Sequence, residues 1–195
     1  MEKELSHSFN AVLDKEFSKK LFHIQQKLKE KIVERRNYDS SPHLAIATKF
    51  MGESDTDNFA NALIREFSND QKWELRFTNF SPSETGNYIF LNLDKKSKEI
   101  IFTLHERAFS ATKNIGSEGQ GGLPPKYAYD PHISIIKLQP AEVSLAMEII
   151  SEDFSKITTS VESYEITRQK DNDNGFSDFP VIQEILNRGR LIIRE

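Results

Sequence analysis

The chain has 195 residues, of which 37% are hydrophobic and 29% are charged, a composition typical of a folded domain and not of a disordered chain. It has no cysteine, which excludes disulfide bonds and thiolate metal sites, and its apolar runs are far too short to span a bilayer. The formal net charge of −4 argues against tight, sequence-independent binding to long duplexes. The first ten residues lack the apolar core of a signal peptide, so we expect a cytoplasmic protein, and we expect it to be a monomer.

In chain order, the first half of the sequence alternates strands with amphipathic helices. Residues 7–14 alternate in polarity and are rich in β-forming residues, which predicts a strand. Apolar residues spaced by three or four then predict a long helix over residues 15–36. Further strands are predicted at residues 43–50, 72–80 and 88–94, and further helices at residues 55–69 and 97–112.

The second half continues this alternation after a long loop. Residues 114–130 hold four of the eight glycines, which indicates a loop long enough to be a functional flap. Strands are then predicted at residues 132–138, 160–169 and 180–186, with a helix at 140–154 and a short strand in the tail. Because most connections are short, the pattern predicts one α+β domain over residues 1–195, built from two similar halves.

Two stretches, one in each half, have the same pattern of residue types. "SSPHLAIATKF" contains His43, and "YDPHISIIKL" contains His132 eighty-nine residues later; each histidine follows a proline and begins an apolar strand. Because side chains alternate along a strand, His132 and Ser134 project from one face, as do His43 and Ala45. If the two strands lie side by side, the imidazoles face each other across a cleft.

Such a pair of imidazoles is suited to proton transfer at neutral pH, because the unperturbed pKa of histidine is about 6.5. One ring can accept a proton while the other donates one. The Ser134 hydroxyl would donate a hydrogen bond to a phosphate oxygen. Together these groups are a minimal apparatus for opening a phosphodiester without a metal ion or another cofactor.

The ordered pair of motifs resembles the two-histidine (2H) phosphoesterases, which include bacterial 2′-5′ RNA ligases and cyclic phosphodiesterases. "PHISIIK" and "PHLAIATKFMG" are similar to that family's pair of His-x-Thr/Ser strands, and the similarity extends to the opening strand and helix and to the closing strands. The resemblance implies a bilobal, pseudo-symmetric α+β fold, with antiparallel sheets around a central cleft and helices outside.

The resemblance also implies a substrate and a division of roles. The expected substrate is an RNA 3′ end or a small nucleotide that carries a 2′,3′-cyclic phosphate or a 2′-5′ linkage. His132 is assigned as the general base and His43 as the general acid, and Ser134 anchors the phosphate. Lys137 would help, although in an ideal strand it points to the other face. Tyr127 and Tyr129 would either stack on a base or pack within the loop.

The first motif departs from the family pattern at Ala45, where the family usually has Thr or Ser. An alanine methyl group cannot donate a hydrogen bond to a phosphate. Thr48 faces away from His43 in a regular strand, but a β-bulge would turn it back towards the phosphate. Two alternatives therefore stay open: cleavage of 2′-5′ oligoadenylates, and a nucleotide-binding module without turnover, which the alanine favours.

The remaining histidines are assigned structural roles. His7 lies on the first predicted strand, while His23 and His105 lie in predicted helices as surface or packing residues. No spacing of possible ligands predicts a metal site. The stretch "KDNDNGF" departs from the calcium-loop pattern, and its Asn-Gly pair instead favours a hairpin turn.

Overall fold

A computed structural model describes residues 4–32, 43–118, 129–151 and 157–168, together with four short strand segments near the C-terminus. The four α-helices are α1 (Lys15–Lys31), α2 (Thr56–Phe67), α3 (Lys95–Ala111) and α4 (Val143–Ser151). The first six strands are β1 (Leu5–Leu13), β2 (Leu44–Met51), β3 (Glu74–Pro82), β4 (Tyr88–Leu93), β5 (Ser117–Glu118) and β6 (His132–Lys137). The last five are β7 (Ile157–Arg168), β8 (Lys170–Asp171), β9 (Ser177–Asp178), β10 (Val181–Leu186) and β11 (Leu191–Ile193). Short 3-10 helices, Glu53–Asp55 and Pro140–Glu142, precede α2 and α4.

Helix α1 illustrates how the sequence pattern becomes structure. Its apolar stripe is buried at Phe17, Leu21, Ile24 and Leu28, which are the positions that the spacing predicts. The Asp14 carboxylate caps the helix by accepting a hydrogen bond from the backbone N–H of Phe17 at 2.9 Å. The predicted extension over residues 33–36 lies outside the described residues.

The strands form two antiparallel lobes that share one strand. In the first lobe, β1 lies between β2 and β7, and β10 and β11 continue beyond β7. In the second lobe, the order is β6, β4, β3 and then β7. The beginning of β7, residues 157–160, pairs with β3, whereas residues 161–168 pair with β1. The chain therefore has the bilobal α+β architecture with antiparallel sheets that the sequence analysis predicts.

Helices cover one face of each lobe and build the core there. In the first lobe, Phe9 of β1 packs against Phe67 of α2 and Tyr164 of β7, with ring centroids 4.8 and 5.2 Å away. In the second lobe, Phe17 of α1 stacks on Phe77 of β3 at 4.9 Å. Because the helices occupy these faces, the opposite faces of the two lobes are left for the histidine motifs.

Gly116 allows the short strand β5 to approach β2 closely. Its φ is +61°, and a Cβ atom at this position would lie 2.5 Å from the carbonyl oxygen of Phe50. Ser117 and Glu118 then pair with Phe50 and Lys49. This contact fixes the start of the glycine-rich loop beside the first histidine strand.

Two further expectations concern helices and turns. Among the described residues, no helix is both long and apolar enough to cross a membrane. The strands β8 and β9 pair antiparallel. Residues 172–176 between them, which include the Asn-Gly pair, lie outside the described residues.

Candidate active site

The two histidine strands meet at one antiparallel pair, Leu44 opposite Ile133. Both side chains are fully buried, so they point into the core. Because neighbouring residues in a strand point to opposite faces, the residues on either side of this pair point away from the core. Extending the register by one residue places His43 opposite Ser134 and His132 opposite Ala45. We call these four residues the two-histidine face.

The electrostatics agree with this register. Burial lowers the pKa of the His132 imidazole from its ordinary value, and the charges on Lys98 and His43 lower that pKa further. A hydrogen bond and the charge of the Asp130 carboxylate oppose these effects; in the bond, Nδ1–H of His132 donates to the carbonyl oxygen of Asp130 at 2.7 Å. This tautomer leaves Nε2 of His132 with a lone pair, and the lowered pKa favours that neutral form.

Phe90 is the side chain that packs on His132. Their rings are stacked with centroids 3.7 Å apart and an interplanar angle of 27°. Phe90 lies on β4 opposite Ser134, and Asn92 lies opposite His132, so both belong to the same face. The stacking covers one side of the imidazole, which contributes to its desolvation and holds the ring in place.

A β-bulge turns Lys137 onto the same side of the sheet as His132. The pairing of β4 with β6 shifts between Ile89 and Phe90, and Ile135 and Ile136 are both fully buried. Two successive inward residues reverse the phase, so Lys137 is exposed opposite Tyr88. The bulge is therefore the departure from an ideal strand that the predicted role of Lys137 requires. Lys137 pairs with Tyr88 and His132 pairs with Asn92. These two partners are four residues apart on β4, so Lys137 lies about 13 Å along the strand from His132.

A second bulge does the same for Thr48. The pairing of β1 with β2 shifts between Phe9 and Asn10, and Ile46 and Ala47 are both buried. Thr48 is therefore exposed on the side of Ala45, as the bulge alternative predicts. Thr48 pairs with Ser8, however, whereas Ala45 pairs with Asn10. These two partners are two residues apart on β1, a distance of about 7 Å along the strand. Thr48 thus lies on the same face as Ala45, and its role towards a phosphate stays a prediction.

Side chains behind the sheet hold the β2 bulge. The Tyr129 hydroxyl donates to the carbonyl oxygen of Ala45 at 2.5 Å, and Nδ1–H of His105 donates to that of Ile46 at 2.6 Å. The two rings stack on each other at 4.2 Å with an interplanar angle of 12°. Burial raises the pKa of Tyr129, which keeps its hydroxyl a donor. The packing alternative therefore describes Tyr129 better than base stacking does, and Tyr127 lies outside the described residues.

The two lobes have corresponding strand pairs beside the histidine motifs, but these strands carry different side chains. On β1, the side chains of Ser8 and Asn10 are hydrogen-bonded to each other at 2.8 Å, and Asn10 also donates to Thr167 at 3.3 Å. The corresponding positions on β4 are Tyr88 and Phe90. Sequence reasoning missed all four residues. Their signal is alternation on the strand that pairs with each histidine strand, which is visible only once the pairing is known.

Other histidines lie away from this face. His7 is fully buried on the helix side of β1, where its Nε2 lies 3.0 Å from the Thr56 hydroxyl. Among the described residues, no three His, Asp or Glu side chains are grouped closely enough to hold a metal ion.

The comparisons with known proteins rest on structure. No protein-family model matches the chain, and no curated protein matches its sequence. The structure of LigT from E. coli complexed with 3′-AMP superposes with a TM-score of 0.62 at 11% identity, over 93% of this chain and 97% of LigT. TT0787 of Thermus thermophilus gives a TM-score of 0.63 at 16% identity, over 94% and 98% of the two chains. A crystal structure of a phosphoesterase gives 0.64 at 12% identity, over 97% and 99%. The chain therefore has the 2H phosphoesterase fold, the fold of the family that its two histidine motifs resemble.

Proposed function

We propose that this protein is a phosphodiesterase that opens 2′,3′-cyclic phosphates on RNA ends or nucleotides, with His43 and His132 as its acid–base pair. The observation that supports this most strongly is the Leu44–Ile133 pair, which sets both imidazoles and the Ser134 hydroxyl on one face. The fold supports a phosphodiesterase, and the LigT structures contain nucleotides, among them 3′-AMP and ATP.

In the proposed reaction, His132 is the base. Its Nε2 takes a proton from water as the water oxygen attacks phosphorus. The bond from phosphorus to one ribose oxygen breaks, and protonated His43 gives its proton to that oxygen. The product is a phosphomonoester. His132 then holds the proton taken from water, the leaving oxygen holds the proton given by His43, and exchange with solvent restores both rings. Ser134, opposite His43, donates to a non-bridging phosphate oxygen.

The test is to replace each histidine separately. We expect His43→Ala and His132→Ala each to lower kcat for 2′,3′-cyclic AMP at least a hundredfold, because each removes one proton-transfer group. His23→Ala, on the exposed side of α1, is the matched control and should keep the wild-type rate. The assay includes a chelator, and product analysis identifies which ribose oxygen keeps the phosphate. Hydrolysis that survives either active-site substitution would contradict the mechanism.

Ala45 supports a second candidate, a module that binds nucleotides without turning them over. The methyl group stands opposite His132, where the family pattern has a hydroxyl donor. The same experiment separates the candidates: binding of 3′-AMP by wild type, without opening of 2′,3′-cyclic or 2′-5′ linked dinucleotides, would select the binding module.

A further inference from the structure

A continuous row of aromatic rings leads away from the reacting position on the second lobe. The row begins with the His132 ring on Phe90 at 3.7 Å and continues with Phe90 and Tyr88, whose centroids are 6.1 Å apart at an interplanar angle of 21°. It ends at Lys137, whose Nζ lies 5.8 Å from the Tyr88 ring centroid. We call Phe90, Tyr88 and Lys137 the aromatic strip.

The composition of the strip matches a single-stranded nucleic acid. Flat rings accept the faces of unpaired bases whatever their sequence, and a cation beside them attracts a phosphate. Phe90 and Tyr88 are half-buried, and Lys137 is exposed, so the strip lies at the surface of the sheet. The bulge at Ile135 is what turns Lys137 to the side of the rings.

The length of the strip exceeds that of one nucleotide. Its far end pairs with β4 four residues from the partner of His132, which is about 13 Å along the strand. Stacked nucleotides advance about 3.4 Å each along one strand. A phosphate held at Lys137 therefore belongs to a different nucleotide from the phosphate that reacts at His132.

We propose that the aromatic strip binds the nucleotides next to the reacting phosphate, so that the preferred ligand is a single-stranded RNA end and not a free cyclic mononucleotide. This inference rests on the proposed function for the place of the reacting phosphate. The first lobe offers no comparable strip among its described residues, because the corresponding positions on β1 are Ser8 and Asn10.

The first experiment measures binding without turnover. The probe is a fluorescein-labelled RNA tetranucleotide that ends in a 3′-phosphate, followed by fluorescence anisotropy. Tyr88→Leu should weaken its binding about five- to a hundredfold, as expected for the loss of one stacking platform. Phe22→Leu, which removes a ring that is 52% exposed on α1, is the matched control and should bind like wild type.

Lys137→Gln tests the cation and is a surface change that leaves the core intact. It should reduce the slope of log affinity against log salt concentration by about 0.7, the value for one phosphate contact on a single strand. Lys19→Gln, on α1 beside Glu16, is its matched control and should leave the slope unchanged. Wild-type binding and salt slope in both Tyr88→Leu and Lys137→Gln would overturn the strip.

The second experiment compares substrates of different length. Wild type should show a kcat/KM at least tenfold higher for a trinucleotide ending in a 2′,3′-cyclic phosphate than for 2′,3′-cyclic AMP, and Tyr88→Leu should reduce that ratio. Opening that needs both histidines but ignores length would overturn the strip while leaving the proposed function standing. RNA binding that depends on Tyr88 without any opening of cyclic phosphates would leave the strip standing and reject the proposed function.

Discussion

Ala45 is the residue at which the two histidine motifs differ, because Ser134 stands at the corresponding position of the second motif. His43 faces the hydroxyl of Ser134, whereas His132 faces a methyl group. We predict that Ala45→Thr increases kcat/KM for 2′,3′-cyclic AMP about ten- to a hundredfold, because a hydrogen bond to a charged group is worth about 1.5–3 kcal/mol. Steady-state kinetics at pH 7 measures this gain.

Ala45→Val is the matched control for that gain. It has nearly the shape of threonine but no hydroxyl group, so it should give no increase. An equal change in both variants would mean that volume, and not hydrogen bonding, limits the site. Thr48 lies about 7 Å further along the strand.

Phe90 is stacked on His132 and contributes to the burial that lowers the pKa of this imidazole. Because the base must be neutral, the rate should rise as pH passes the pKa of His132, which burial holds below the ordinary value near 6.5. Phe90→Ala exposes the ring to water, so its pKa should rise and the ascending limb of the kcat profile should move to higher pH. Phe22→Ala on α1 should leave that limb in place. An unmoved limb in Phe90→Ala would contradict the role of desolvation.

At the scale of elements, the two bulges decide which side chains share a face with the two histidines. Each lies in the third and fourth residues after its histidine, and each shows in the sequence as two successive apolar residues, "IA" and "II", in an otherwise alternating strand. The alternation predicted both strands correctly. It did not locate the bulge in the second strand, because a doubled apolar residue also occurs where both faces of a strand are buried.

Tyr129 and His105 make the β2 bulge a fixed geometry. We predict that Tyr129→Phe lowers the free energy of unfolding by about 0.5–1.5 kcal/mol, because it removes the hydrogen bond from the Tyr129 hydroxyl to the carbonyl of Ala45. We also expect kcat to fall severalfold with little change in KM, because the bulge positions the strand that carries His43. Urea denaturation and steady-state kinetics measure the two effects.

Tyr164→Phe is the matched control for Tyr129→Phe. Its hydroxyl donates to Asp70 on the helix side of the first lobe, so its loss should reduce stability without changing kcat. If Tyr129→Phe leaves kcat unchanged, the contact is structural only. The contact between Tyr129 and Ala45 could not be predicted from the sequence, because it joins positions 84 residues apart.

At the scale of the whole molecule, β7 holds the two lobes together. It leaves β3 after Ser160 and joins β1 from Val161. Asp14 sits at this transition: its N–H donates to the Ser160 carbonyl at 3.0 Å, and its carboxylate accepts from the Thr159 hydroxyl and from the N–H of Phe17. One carboxylate therefore caps α1 and ties it to the shared strand.

Asp14→Ala should reveal this double role in the stability of the protein. Burial raises the pKa of Asp14, but the bonds from Thr159 and Phe17 outweigh it, so the pKa lies below its ordinary value near 3.8. Its contribution is therefore complete above the pKa of the unfolded chain and is lost as pH falls through the lower pKa of the folded state. We expect a loss of about 1–2 kcal/mol at pH 7, measured by urea denaturation, and a smaller difference from wild type at pH 3.

Asp94→Ala provides the comparison for Asp14→Ala. Asp94 caps α3 through the N–H of Ser97 at 2.8 Å, and it lies on the second lobe before α3. Its loss should cost about 1 kcal/mol, the value of a cap alone. A loss in Asp14→Ala no greater than that in Asp94→Ala would mean that the tie to β7 adds nothing.

The overall architecture was predictable because two strand motifs resembled one family and the remaining elements followed its order. The hydrophobic periods of α1, α2 and α3 were sufficient to identify those helices. The division of β7 between lobes was not predictable, since the sequence shows one continuous alternating strand from residue 160 onwards. Strand sharing is decided by tertiary pairing, which a local pattern does not contain.

The corresponding strand pairs of the two lobes carry different side chains, and this difference affects the direction in which a polymer could bind. A site with the same side chains on both sides would bind a polymer in either direction. Here the strand beside the first histidine motif carries the buried Ser8 and Asn10, and the strand beside the second carries the half-buried rings of Tyr88 and Phe90. Under the proposed function, we therefore expect a ribose-phosphate chain to bind in one direction, and that direction would determine which ribose oxygen leaves.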